Sequence, residues 1–319
     1  ITEVHQDEAG DITGLTLRGA GRVEGDFFID CTGFASLLLG RTYGVGFKDC
    51  TDVLFCDRAL ALQVPYERED SPIATHTIST AQDAGWIWDI GLPTRRGVGH
   101  VYSSRHISDS DAEAELLAAV GPDLKMAPRR IAFTPGRRRQ AWKGNCVAIG
   151  LSSGFLEPLE STSIALIETG IDKLKQLFPQ RAIDPLLVDE YNDWSRREME
   201  RVRDFIILHY KATERDDSPF WRDCRAMDIP EELARRMRYF ASHGRVSRVF
   251  DELFLDVSWI QVFLGQGVIP RSWHPLADQL SETELKEFLD EVKGMIRHEM
   301  AALPTHADFI ARHCAARPS

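Results

Sequence analysis

The sequence holds 319 residues, 43% of them apolar and 27% charged, the balance of a globular chain rather than a disordered one. Its 49 acidic against 38 basic residues leave a net charge of −11, which argues against a nucleic-acid surface, since phosphate binding needs a basic stripe. No apolar run reaches the ~18 residues of a membrane span, and ITEVHQDEAGD has no signal-peptide pattern, so a cytoplasmic protein of about two domains is expected.

The chain opens with ITEV, a QDEAGD turn, the strand ITGLTLR, a GAGRVEGD turn and the strand DFFIDCTGF, which runs into Gly33. It starts inside a β-meander, where a domain seldom begins, so an N-terminal part is expected ahead of Ile1. From about 41 to 135, short strands alternate with turns: VLFCDRALALQVPY, ATHTISTA, GWIWDIGL and RRGVGHVYSS. One helix, DSDAEAELLAAV, is predicted behind Ser108 as its cap. The basic run Arg137-Arg138-Arg139 reads as a solvated turn rather than a binding patch. NCVAIG (145–150) is a short apolar run of the kind a buried parallel strand shows. It leads through LSSGFLEPLEST into an apolar helix, SIALIETGIDKLKQLF, that ends before Pro179. From about 184 the pattern is helical, and Ser281 with Glu284 spells a capping box opening ETELKEFLDEVKGMIRHEMAAL. The predicted fold class is α+β: a sheet module over 1–183, with an inserted mixed β-sheet at about 41–135, then a helical module over 184–319.

Six cysteines stand without a CxxC pair, and ten histidines without HExxH or a Cys/His ligand spacing. Reduced, partly buried thiols and no metal site are expected.

Three patterns fall on the strand ends and the turn that follows. Gly150-Leu151-Ser152-Ser153-Gly154 is a formal GxSxG after a predicted strand, as at the nucleophile elbow of a serine hydrolase. That elbow needs a helix directly behind the serine, and Pro158 would clash inside it. The second pattern is a pair of strands ending in glycine, at Gly33 and Gly150, where a backbone can approach a ligand at the carboxyl edge of a sheet. Two such ends around an inserted β-region are what a glutathione-reductase-like fold presents to FAD, but no GxGxxG fingerprint accompanies them. In the third, Glu157 and Glu160 flank Pro158, and Ser161, Thr162 and Ser163 open a helix whose free N–H groups suit an anion.

DFFIDCTGF (26–34), GWIWDI (85–90), NCVAIGLSSGFLEPLESTSI (145–164) and HYKATERDDSPFW (209–221) together resemble the flavin-dependent tryptophan halogenases, in family order and across essentially the whole chain. The resemblance implies an incomplete glutathione-reductase-like FAD-binding module followed by a mostly helical substrate module. It implies FAD, received as FADH2 from a separate flavin reductase, and chloride or bromide. With O2 these give hypohalous acid, which halogenates an electron-rich, tryptophan- or indole-like aromatic. Glu160 then matches the catalytic and substrate-side carboxylate, and Thr162 and Ser163 match the halide-binding pair. Ile1, Leu151, Ile164, Gly33, Gly150, Trp86 and Trp88 fall on the flavin side; Tyr210, Lys211, Asp217, Phe220 and Trp221 border the substrate pocket.

The chain also departs from the family. Gly91 stands where a proline usually follows GWIWDI, and the family's glycine-rich FAD loop and catalytic lysine lie ahead of the position of Ile1. The resemblance therefore covers the C-terminal two thirds, and this chain alone is expected to be inactive. Lys211 stands where tryptophan-specific members tend to be aromatic, which favours indole, a tryptophan residue in a peptide or another electron-rich aromatic. A homodimer is left open. A flavin monooxygenase would share the fold and both strand ends but not Glu160 with its halide turn. A non-catalytic binding module would give no product.

Overall fold

Three strands, β1 (Glu3–Gln6), β2 (Ile12–Leu17) and β3 (Gly21–Glu24), form the antiparallel meander expected at the start of the chain. The computed structural model describes residues 1–68, 70–121, 126–247 and 251–315. Strand β4 (Phe28–Asp30) follows and ends on a fully buried carboxylate. Asp30 accepts from the N–H groups of Thr32, Leu38 and Leu39 and from Thr32 Oγ1, at 2.6–3.0 Å. Those bonds satisfy donors that the turn after the strand would leave open, and they replace water around the charge.

After β5 (Phe47–Asp49) comes the inserted sheet: β6 (Arg58–Pro65), β7 (Ile78–Gln82), β8 (Gly85–Gly91), β9 (Arg95–Tyr102) and, beyond helix α1 (Asp109–Val120), β10 (Arg129–Ala132). All pairings are antiparallel, in the order β10-β6-β9-β8-β7. Val53–Cys56 were expected to open β6 but lie outside it, because the N–H groups of Val53 and Leu54 turn back onto the Cys50 carbonyl. Ser108 caps α1 as expected, its Oγ accepting from Asp111 N at 3.1 Å. Strand alternation splits the sheet into two faces. Leu60, Ile87 and Val98 pack under α1, while Trp86, Trp88 and Val101 face the helices that follow.

Four short strands come next: β11 (Gly136–Arg138), β12 (Trp142–Lys143), β13 (Cys146–Ala148) and β14 (Gly154–Phe155). The solvated turn expected at Arg137-Arg138-Arg139 is not found. Strand β11 pairs with β5 on one side and β14 on the other, which fixes an extended backbone there. Arg137 Nη2 meets Glu200 Oε1 at 2.7 Å, and Arg138 Nη1 donates to the Val45 carbonyl at 3.1 Å. Strand β13 is wholly buried and runs parallel to β4, as its apolar run predicts.

Among the described residues, the elements that follow are helices: α2 (Ser163–Leu177), α3 (Pro185–Lys211), α4 (Pro219–Ala226), α5 (Glu231–His243), α6 (Asp256–Gly265), α7 (Glu282–Ala302) and α8 (His306–His313). Asp184 caps α3 with Pro185 at its first position, where a missing N–H costs nothing. Val202, Phe205, Ile206 and Leu208 of α3 join Trp86 and Val101 of the inserted sheet in the main core, so the core crosses the expected boundary at 183. The same helix carries the next two residues, His209 and Tyr210, to the site described below.

Candidate active site

Parallel pairing of β4 with β13 in the register Phe28↔Cys146, Ile29↔Val147 and Asp30↔Ala148 ends the two strands side by side. Gly33 and Gly150 follow at φ +68° and +72°, in the left-handed region that favours glycine. A Cβ on Gly150 would also press Ile167 at 3.3 Å. Leu151 is exposed beside Gly150, Ile164 is 70% exposed on the first turn of α2, and Ile1 is exposed ahead of β1. Ser152 is 1% exposed, and its Oγ donates to the carbonyls of Asp30 and Ile149. A serine nucleophile needs a base at that oxygen. Its partners here are carbonyls, so Ser152 is a tie between strand ends.

The segment after β14 reverses sharply. Ser161 N bonds to the Pro158 carbonyl at 2.9 Å, and Ser161 itself sits at φ +52°. Helix α2 then starts from Thr162 with no side chain capping its first turn, which leaves N–H donors without an internal acceptor. This one segment walls two cavities. Glu157, Thr162 and Ser163 line a small one of about 60 Å³ together with Gly150 and Leu151. Leu159 lines a larger one of about 510 Å³, walled by Trp86, His209, Tyr210, Arg215 and Trp221.

Helix α3 grips both glutamates of the segment through consecutive residues. Tyr210 Oη donates to Glu157 Oε1 at 2.7 Å, and His209 Nε2 lies 2.7 Å from Glu160 Oε1. His209 Nδ1 lies 2.9 Å from the Phe205 carbonyl, which orients the ring from within the helix. Glu157 is 2% exposed. Burial pushes its carboxyl up to about 7, against the opposing pull of Tyr210, Trp86 and His209. Burial likewise holds the Tyr210 phenol and the Cys56 thiol, 3.8 Å apart, well above their usual ranges, so Tyr210 remains a neutral donor. Glu157 Oε2 and Trp86 Nε1 are both buried without a closed hydrogen bond.

Of the residues expected near the substrate, Tyr210 and Trp221 line the larger cavity, with ring centroids 6.0 Å apart and nearly parallel. Trp221 Nε1 is tied to the Gln82 carbonyl at 2.8 Å, and the Arg215 guanidinium lies 4.9 Å from its ring centre. Trp86 joins the same wall, whereas Trp88 packs behind it in the core at 6.2 Å. Phe220 is buried behind Tyr210, edge-on to it, rather than in the wall. Asp217 is held outside by Arg215. Lys211 is not brought to the cavity: its Nζ is spent on the carbonyls of Arg225 and Met227, at 2.7 and 2.6 Å. Lys211 directly follows Tyr210, about 100° further round the helix, which turns it away from the face that His209 and Tyr210 share, and sequence reasoning did not resolve that difference. It also gave no role to His209, although HY opens one of its motifs. Among the described residues, no group of three or more His, Cys, Asp or Glu could hold a metal ion, and no helix is long and apolar enough to cross a membrane.

A family model described as tryptophan halogenase matches residues 1–282. The chain is 37% identical to the tryptophan 6-halogenase SttH of Streptomyces toxytricini, over 98% of this chain and 60% of the relative. It is 35% identical to the 7-chloro-L-tryptophan 6-halogenase KtzR of Kutzneria sp. (strain 744), over 98% and 61%. Among solved structures it superposes on Xcc4156, a flavin-dependent halogenase from Xanthomonas campestris, with a TM-score of 0.94 and 46% identity, covering 100% of this chain and 64% of that one. For BrvH, a flavin-dependent halogenase from Brevundimonas sp. BAL3, the TM-score is 0.93 and the identity 49%, with 98% and 63% covered. The chain thus spans about three fifths of the length of the curated relatives it matches.

Proposed function

The chain belongs to the tryptophan halogenase family, and from that premise we propose that it carries the halide and substrate sides of a flavin-dependent halogenase acting on an indole-bearing aromatic. The observation that carries this reading is the shared segment. Its helix start, Thr162 and Ser163, faces one cavity, and its Leu159 faces another lined by Trp86, Tyr210 and Trp221. Such an arrangement lets a small oxidant form on one side and meet an aromatic ring on the other.

Flavin fits the residues present in part. Gly33 and Gly150 leave two strand ends open to close approach, and an added Cβ at Gly33 would meet nothing. Leu151, Ile164 and Ile1 offer exposed apolar surface, as one half of a glutathione-reductase-like FAD site would. Bound there as FADH2 from a separate reductase, the cofactor supplies the electrons that, with O2 and a halide, yield hypohalous acid. The uncapped N–H groups of Thr162 and Ser163 hold chloride or bromide, because a helix start presents donors and a positive dipole end. Trp86, Tyr210 and Trp221 hold the aromatic substrate by apolar and ring contact. Glu160, held by His209, stabilises positive charge as it develops on the ring undergoing halogenation. Lys211 is turned away from this wall, so it does not itself select indole or peptide over free tryptophan.

The test uses a protein that carries this chain together with a glycine-rich flavin loop. Supplied with a flavin reductase, O2, bromide and an indole, it is expected to give brominated product by mass. Glu160→Gln should lower kcat by ~10²–10³ with KM little changed, as when one preorganised group is lost. Unchanged bromination in that variant removes Glu160 from the chemistry. Oxygenated product without bromine favours the monooxygenase.

A further inference from the structure

Glu157 lies between the two cavities and takes no part in the chemistry assigned above. Glu157 lines the small cavity, and its Oε1 accepts from Tyr210, a wall residue of the large one. The second oxygen and the indole N–H of another wall residue, Trp86, are a buried acceptor and a buried donor left without closed partners. The indole is nevertheless near enough to favour the ionised carboxylate. A buried polar atom with no partner carries a cost that pairing would remove. An ionised carboxylate has acceptor sites for both donors, whereas a protonated one would set an O–H against an N–H.

Resting on the halogenase reading, we propose that Glu157 is the positioning residue of the aromatic wall. Its ionised carboxylate draws in Tyr210 and Trp86 together and so sets the planes against which the substrate ring lies. The groups that face it are Tyr210 and His209 from α3, Cys56 from the segment before β6, Trp86 from β8 and Cys224 from α4. Cys56, Cys224 and Tyr210 are all pushed above their ordinary ranges and keep their protons near neutral pH, where the lifted Glu157 carboxyl changes charge.

The experiment has two arms. In the 319-residue chain labelled with ¹⁵N-tryptophan, the Trp86 indole N–H, assigned by Trp86→Phe, is followed by NMR from acid to mildly alkaline pH. It should move downfield as Glu157 ionises, with a midpoint at about 7. Glu157→Gln, which keeps size and one acceptor, should abolish that movement. An indole signal indifferent to both pH and Glu157→Gln overturns the proposal. In a halogenating preparation, Glu157→Gln and Tyr210→Phe should each raise KM for the aromatic on the order of tenfold, the cost of one hydrogen bond to a charged group, with kcat changed much less. A normal KM with a collapsed kcat would also overturn it, because Glu157 would then act on the reaction itself. If no variant and no parent halogenates, the functional reading fails, and the NMR arm still decides the role of Glu157.

Discussion

Three carboxylates around the α3 core have been lifted toward neutrality, and each lift has a consequence for folding. Glu157 and Glu198 both reach about 7, chiefly through burial, while Glu198 keeps a 3.1 Å bond from Thr169 Oγ1. Asp204 rises to about 6 despite the Arg203 guanidinium beside it. An acid whose folded value is raised holds its proton after the unfolded chain has lost its own. The native state therefore binds more protons between the ordinary carboxylate value and about 7, and stability falls as pH rises through that window. Glu198→Gln removes one such group, so its advantage over the parent should grow from acid to neutral pH, by at most roughly 3 kcal/mol. Urea unfolding of both proteins at three pH values across the window checks this, and an advantage that shrinks toward neutral pH would refute it. The grip of α3 on Glu157 and Glu160 was not readable in the sequence, because it joins residues about 50 positions apart through a helix phase that no local pattern reports. Glu160 itself was readable only as a motif position.

Elements governed by neighbouring residues came out as the sequence predicts. Ser108 caps α1, and Ser281 with Glu284 closes a reciprocal capping box at the start of α7. Segments whose conformation depends on more than local pattern did not: β11 is extended only because β5 and β14 flank it, and the expected strand does not start at Val53 because the Cys50 carbonyl takes the N–H groups of Val53 and Leu54. The inserted sheet carries a constraint of the same non-local kind. In β9, Gly99 lies between β6 and β8, directly under the Trp88 ring, and a Cβ there would overlap both that ring and the Leu60 carbonyl. One of those obstacles is backbone, which no rotamer change removes. Gly99→Ala should therefore destabilise the chain by ~3 kcal/mol or more, at the upper end for overpacking. Trp88 would be displaced toward Trp86, so tryptophan emission should change along with the lowered melting temperature. A variant with the parent's melting temperature would show that β9 can move away from β8.

At the scale of the whole molecule, one surface and one motif remain unmatched. Helix α7 buries none of its side chains, and Leu285, Phe288, Leu289, Ile296 and Met300 fall on a single helical stripe. Apolar stripes of that length are ordinarily covered, and the relatives carry further chain beyond the part matched here. The unmatched motif concerns the cofactor. FAD carries a pyrophosphate, whose charge needs a cluster of N–H donors at a glycine-rich helix start. This sequence contains no GxGxxG, and the strand ends at Gly33 and Gly150 with Leu151 and Ile164 offer close backbone approach and apolar contact instead. Apolar contact alone leaves the pyrophosphate to exchange strong hydration for little, so the 319-residue chain is expected to elute from gel filtration without flavin absorbance after incubation with FAD. A protein carrying the same strand ends and a glycine-rich loop should retain it. Co-elution of one flavin per 319-residue chain would mean that this part of the fold builds a complete pyrophosphate site from residues other than a glycine-rich loop, and the division of the flavin site proposed above would fall.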